Sequence, residues 1–345
     1  MSGIHFDHAR VGYLTVIESH AMQPTFAALF AIGLLTAGWA EGGTLELQAK
    51  ILLPNCKGRI DHLAFDVDHR RLFVAELGND TVAVVDVDRR RLEQRLEGLK
   101  EPQGLAYFAS LHRLYVAEGG DGTVRAYDAA SFRQVATTKL SGDADNVRID
   151  PAASRVDVGY GDGALAGLDP GSLHTLGNIP LKEHPESFQL SPIDGRIYVN
   201  VPSAKEIAVL DRKAGRQLAF WPASEWAANY PMAIDEQSQS VLSVFRRPAR
   251  LARYSMKDGT VSAQVEVCGD ADDIFVDVKR EHVYVICGEG VVDVLDRETL
   301  KLAEKFPTSP GARTGLYSPD ADLLFVAARA EGGHDAAVWV LKPSD

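Results

Sequence analysis

Short apolar runs rich in Val, Ile, Leu, Phe and Tyr recur along the chain from residue 44 onward, separated by small clusters of Gly, Asp and Asn. Runs of this length and content, bounded by turn formers, read as strands. In the first unit, residues 62–67 predict a strand, 68–71 a turn, 72–77 a second strand and 78–80 another turn. Residues 81–87 predict a third strand and 92–96 a weaker, more polar fourth. The second strands align as RLFVAEL, RLYVAEG, RVDVGYG, RIYVNVP, HVYVICG and LLFVAAR, with VLSVFRR a poorer fit. The segments that open each unit align as RIDHLAFD, EPQGLAYF, DADNVRID, HPESFQLS, NYPMAIDE, DADDIFVD and GARTGLYS. Their anchors are Asp66, Phe108, Asp150, Ser191, Glu236 (or Asp235, one residue earlier), Asp277 and Ser318; taking Asp235, the spacings are 42, 42, 41, 44, 42 and 41. Such a period in an all-strand pattern predicts an all-β, seven-bladed β-propeller, with one four-stranded blade per repeat.

Counting strands predicts how the ring closes. The seventh repeat supplies only three, at 314–317, 323–328 and 336–341, whereas 44–53 is a strand with no repeat of its own. It is expected to be the outermost strand of the last blade, removing an open sheet edge. Asp121-Gly122 and Asp162-Gly163 fall where the second hairpin must turn, because such pairs tolerate positive φ. The spacing of 44 reflects extra residues at 224–230, expected to place Trp226 and Tyr230 on a loop.

Composition is ordinary for a globular chain, 46% hydrophobic and 24% charged, ample for a large core. Residues 1–43 read as a leader and 44–345 as the propeller domain. The apolar stretch 26–40 is short for a bilayer span and ends in small residues, like a signal-peptide core and cleavage site. Only Arg10 lies upstream as a side-chain cation, and Met22 is an alternative start. This reading predicts a periplasmic or secreted bacterial protein, monomeric, with no integral membrane domain after leader removal. The formal net charge of −12 makes nucleic acid a poor partner. Arg89, Arg90 and Arg91, and likewise Arg246, Arg247, Arg250 and Arg253, read as exposed hairpin tips. Cys56, Cys268 and Cys287 form no metal-binding spacing. Cys268 and Cys287 read as small core residues, with one disulfide left open.

The blade pattern, Arg or His followed by Ile/Leu/Val, Tyr/Phe and Val and then a Gly-rich turn, is clearest in RLYVAEGGDGTV and RIYVNVPSAKEIAVLD. It resembles the YVTN-type repeats of YncE-like propellers over residues 44–342. No Trp-Asp signature is present. The resemblance implies a propeller fold and an exported bacterial subfamily. Relatives in that group bind DNA, serve as surface proteins, or share the fold with redox enzymes and lyases.

In a propeller the loop before each inner strand rims the channel. Here those loops carry Asp61 and His62, Gln103 and Gly104, Asp145 and Asn146, Glu186 and Ser187, Tyr230 and Pro231, Asp272 and Asp273, and Arg313 and Thr314. Asp143, His184 and Asp270 come one step earlier. Their convergence predicts an acidic funnel. Two function classes follow. The first is an exported, non-catalytic binding or scaffold protein that takes a small molecule or protein partner at this mouth. Asp61, Gln103, Asn146, Glu186, Asp273 and Tyr230 are its ligand contacts. The second is a metal-dependent, lactonase-like hydrolase or lyase. Its divalent cation, Ca or Mg, sits on Asp145, Glu186 and Asp272, since hard cations take carboxylate oxygens. His62 is then the general acid/base and Arg313 orients the substrate. Against both stands the possibility that these aspartates merely join blades by accepting backbone N–H bonds. No GxSxG, HExxH or P-loop motif occurs.

Overall fold

A computed structural model describes residues 43–345 apart from residue 224. The leader reading, with the apolar stretch 26–40 and the alternative start at Met22, lies outside the described residues. Seven four-stranded antiparallel sheets follow one another along the chain. Blade 1 comprises Leu63–Asp66, Arg71–Glu76, Thr81–Asp86 and Arg91–Leu96, from the channel outward. The inner strands of blades 2 to 7 are Pro102–Phe108, Ala144–Asp150, Phe188–Leu190, Ala227–Asp235, Ala271–Asp277 and Thr314–Ser318. Each contacts the next, and the blade 7 inner strand contacts that of blade 1. The seven sheets therefore form a closed ring, a seven-bladed propeller. Blade 7 is completed by Leu45–Leu52, which pairs antiparallel with Ala337–Pro343 at its outer edge.

The second strands explain why the pattern is a continuous apolar run rather than an alternation. Both faces of every blade are covered. In Arg71–Glu76, Leu72 and Val74 pack toward blade 7, while Phe73 and Ala75 pack toward blade 2. The described residues form seven such apolar clusters, one between each pair of adjacent blades. An aromatic recurs at the third second-strand position, as Phe73, Tyr115, Tyr198, Tyr284 and Phe325, all fully buried. Burial of one such side chain contributes about 1.5–3 kcal/mol. Blade 3 departs from the pattern with Asp157, buried and 2.8 Å from Arg155 Nε.

The repeat anchors are turn caps. Asp66, Asp150, Asp235 and Asp277 each accept the backbone N–H of the third residue on, at 3.2, 3.0, 3.4 and 3.3 Å. Ser191 and Ser318 accept the same bond through Oγ at 3.3 and 3.4 Å. These Asx and Ser turns fix the step from inner to second strand. Asp235 rather than Glu236 is thus the fifth anchor. In blade 2, Phe108 instead leads into the 3-10 turn Ala109–Leu111. Gly122 and Gly163 take positive φ, +75° and +155°, at the second hairpins.

One expectation needs correction. Tyr230 is not on a loop: it lies within the inner strand Ala227–Asp235, where the extra residues lengthen the strand and its pairing slips between Asn229 and Met232. Trp226 does sit outside the strand and packs on Phe245, ring centroids 5.0 Å apart. Cys268 and Cys287 are core residues and also form a disulfide.

Candidate functional site at the channel mouth

The chain enters each blade on one face of the ring, and there the channel opens into a cavity of about 290 Å³. Asp61, His62, Gln103, Asp145, Asn146, Glu186, Tyr230, Asp272 and Arg313 all line it, as do Asp143 and His184. Asp273 does not. Its Oδ2 accepts the Gly315 N–H of blade 7 at 2.8 Å, so at this position the blade-joining role holds. Gly104 is at this rim because blades 2 and 3 nearly touch. A Cβ there would come within 1.8 Å of the Asp145 carbonyl oxygen.

Arg246 and Arg59 also line the mouth, and sequence reasoning missed both. Arg246 belongs to the cluster read as exposed tips. That reading fits Arg89, Arg90, Arg91 and Arg247, which are exposed. Arg253 is half-buried and donates to the Arg297 and Glu298 carbonyls. The available signal was topological: a second strand runs back toward the face where its inner strand began, so its last residues rim the same mouth. Arg246 is the penultimate residue of such a strand, Ser240–Arg247.

The mouth is electrostatically divided. On the side of blades 5, 6, 7 and 1, acids and arginines pair. Asp272 accepts from Arg246 Nη2 and lies 2.9 Å from Arg313 Nε. Asp270 is 3.3 Å from Arg246 Nη1 and 3.2 Å from Arg313 Nη1. Arg59 Nη2 is 3.1 Å from Asp61 Oδ2. The Arg246 guanidinium lies 4.1 Å over the Tyr230 ring, a cation–π stack. The Tyr230 and Pro231 carbonyls each accept from Asn200 Nδ2 at 3.1 Å. The Cys268–Cys287 disulfide ties the loop that carries Asp270 and leads into the inner strand with Asp272 to the second strand of blade 6.

Blades 3 and 4 carry carboxylates without an arginine. Among the described residues, Asp145 is approached by Asn146 Nδ2 at 3.4 Å and His62 Nε2 at 3.7 Å. Glu186 has no ion-pair or side-chain hydrogen-bond partner among them, and its backbone is held by Asn200. Asp143 accepts from Gln103 Nε2 at 3.0 Å and faces His184 Nε2 at 3.8 Å. Burial pushes the Glu186 carboxyl up to about 7, with His184 opposing and Asp272 and Asp61 reinforcing. Burial, with Asp61 and Glu186 nearby, holds Asp145 well above the usual carboxylate range. His62 is pushed down to about 4 by burial and by Arg148. It is a neutral imidazole at pH 7, accepting from Asn146 Nδ2 at 3.2 Å.

This geometry bears on the metal trio. Asp272 is engaged by two guanidinium groups, and no cluster of three or more His, Cys, Asp or Glu among the described residues is arranged to cage an ion.

Over 178 residues the chain is 28% identical to the seven-bladed β-propeller protein Rv1057 of Mycobacterium tuberculosis, a match covering 51% of this chain and 35% of that protein. The likeness is to a seven-bladed propeller. The chain thus spans about a third of the length of the curated relative it matches. The hydrazine synthase of Kuenenia stuttgartiensis contains a similar fold, with a TM-score of 0.64 at 16% identity over 79% of this chain and 94% of that one. At such identity the likeness is one of fold alone. No protein-family model matches the chain. No helix among the described residues is long and apolar enough to cross a membrane.

Proposed function

We propose that the protein is an exported, non-catalytic propeller of the YncE-like kind that binds a small cationic or polyhydroxylated ligand at its acidic channel mouth. The observation that carries this reading is the pair Asp145 and Glu186, carboxyls on the cavity wall with no arginine in ion-pair contact among the described residues. Leaving such groups in a confined site costs free energy that a ligand ammonium or hydroxyl offsets. Tyr230, its ring beneath the Arg246 guanidinium, joins the arginine-bound acids in a rigid wall. A cavity of about 290 Å³ suits a ligand the size of a diamine, an amino sugar or a short polyol. The disulfide supports export, because such bonds persist in oxidising compartments.

The test is calorimetric titration of the purified chain with cadaverine, spermidine, glucosamine and glucose, repeated with Asp145→Asn and Glu186→Gln. Saturable binding by one of them, lost in both variants, supports the proposal. No binding by any of the four sinks it.

A second reading, a metal-dependent hydrolase or lyase, draws on Glu186, whose carboxyl near 7 suits general acid/base work. It requires Asp272 to leave its arginines for calcium or magnesium. Elemental analysis of protein purified without chelator, with melting repeated in EDTA, separates the two readings. One equivalent of metal and a fall in melting temperature favour the enzyme.

A further inference from the structure

The channel widens again on the opposite face, where the inner strands end. This lower chamber measures about 540 Å³. Phe65, Tyr107, Ile149, Leu190, Phe275 and Leu316 supply the apolar part of its wall, and Gln189, Glu236 and Ser318 add polar positions. Each of these apolar residues is only partly buried, although the apolar residues between the blades are fully enclosed. At the inner end lie His62, Arg148 and Asp273, and His62 lines both chambers. The waist of the channel is therefore polar.

Arg148 is the unusual group. It projects from the blade 3 inner strand and has five N–H donors to satisfy. Among the described residues, its side chain donates one hydrogen bond, from Nη1 to the neighbouring Val147 carbonyl at 2.9 Å, and makes no ion pair. Its guanidinium carbon stands 5.5 Å over the Phe188 ring. Two acids line the chamber, Asp273 and Glu236; neither forms an ion pair with Arg148, and Asp273 accepts a backbone N–H from Gly315. Burial keeps that carboxyl well above the ordinary range, which favours its neutral form. Gln189 is committed as well, donating to the Met232 carbonyl at 2.8 Å. A cation held at the end of a partly apolar chamber without an ion-pair contact is costly, and an anion delivered there offsets that cost.

We propose that the lower chamber is a second binding site, for a small amphiphilic carboxylate. Its anionic head pairs with the Arg148 fork, and its hydrocarbon or aromatic body lies against Phe65, Tyr107, Ile149 and Leu190. The geometry of guanidinium favours a carboxylate, which it meets through two parallel N–H bonds. The chamber lies within the size range of small-molecule pockets. The site is distinct from the upper mouth, with which it shares His62.

The probes are decanoate and, as its uncharged counterpart, decan-1-ol, titrated calorimetrically into the full chain. Wild type is expected to bind one decanoate saturably, and decan-1-ol about 10-fold or more weakly, the size of a charge-assisted hydrogen-bond pair. Arg148→Met is expected to bring decanoate down to the level of decan-1-ol. Leu316→Trp, which fills the chamber without touching the cation, is expected to weaken both. No saturable decanoate binding by wild type overturns the proposal, and so does equal binding of the two probes. Should Arg148→Met fail to fold, Leu316→Trp still decides: undiminished decanoate binding in that variant places the ligand elsewhere.

Discussion

Glu186→Gln isolates the electrostatic cost of the mouth. The carboxyl rises from its ordinary 4.5 to about 7, first through burial and then through Asp272 and Asp61, against the opposing His184 and Arg246. At about 1.4 kcal/mol per pH unit, this corresponds to about 3 kcal/mol. The folded protein holds this proton more tightly than the unfolded chain does, so folding takes up a proton between those two values. The stabilisation is complete below pH 4.5 and is lost as pH rises through about 7. Glutamine removes the charge but keeps the shape. The variant is expected to melt with wild type at pH 4 and about 5 °C above it at pH 8.5, given the entropy of unfolding of a chain this size. Differential scanning calorimetry at the two pH values measures this. A cationic ligand should stabilise wild type more at pH 8.5 than at pH 5.5, because it replaces the proton. An equal effect of Glu186→Gln at both pH values would refute the argument, since the carboxyl would then carry no perturbed proton.

Four further outcomes are expected. Replacing both Cys268 and Cys287 by Ser opens a loop with a sequence separation of 19, which costs about 3 kcal/mol; urea unfolding should detect it, together with weaker ligand binding at the mouth. Arg95→Met leaves Glu76, fully buried and 2.6 Å from Arg95 Nε, without its counter-charge. A loss of about 3–5 kcal/mol is expected from chemical denaturation. Ile51→Ala, at a fully buried position in the closing strand, should cost about 3 kcal/mol and loosen blade 7 first, visible as faster hydrogen exchange across Ala337–Pro343. Gly104→Ala drives a methyl group into the Asp145 carbonyl; it should lower the melting temperature and displace Asp145, weakening ligand binding at the mouth even though residue 104 carries no charge.

The amino-acid sequence by itself determined the architecture, because a propeller repeats one local rule. Each blade needs two covered faces, hence the continuous apolar second strands, and each turn needs a cap, hence the recurring Asp or Ser anchors. Those signals lie within a few residues of one another, as does the count of strands that assigned the closing strand Leu45–Leu52 to the last blade. Position at or just before the start of an inner strand was likewise enough to place Asp61, Asp145, Glu186 and Asp272 around one mouth. Tertiary structure alone decided how these charges are shared. Arg246, read as a hairpin tip, reaches Asp272 and Asp270 from the next blade, while Asp273, next in the chain to Asp272, faces away to hold Gly315. Asp145 and Glu186 keep no arginine, and Arg148 is left without an acid partner at the head of the lower chamber. Pairing of this kind depends on which side chains converge from different blades, across separations of 24 to 43 residues. No spacing within a single repeat encodes it.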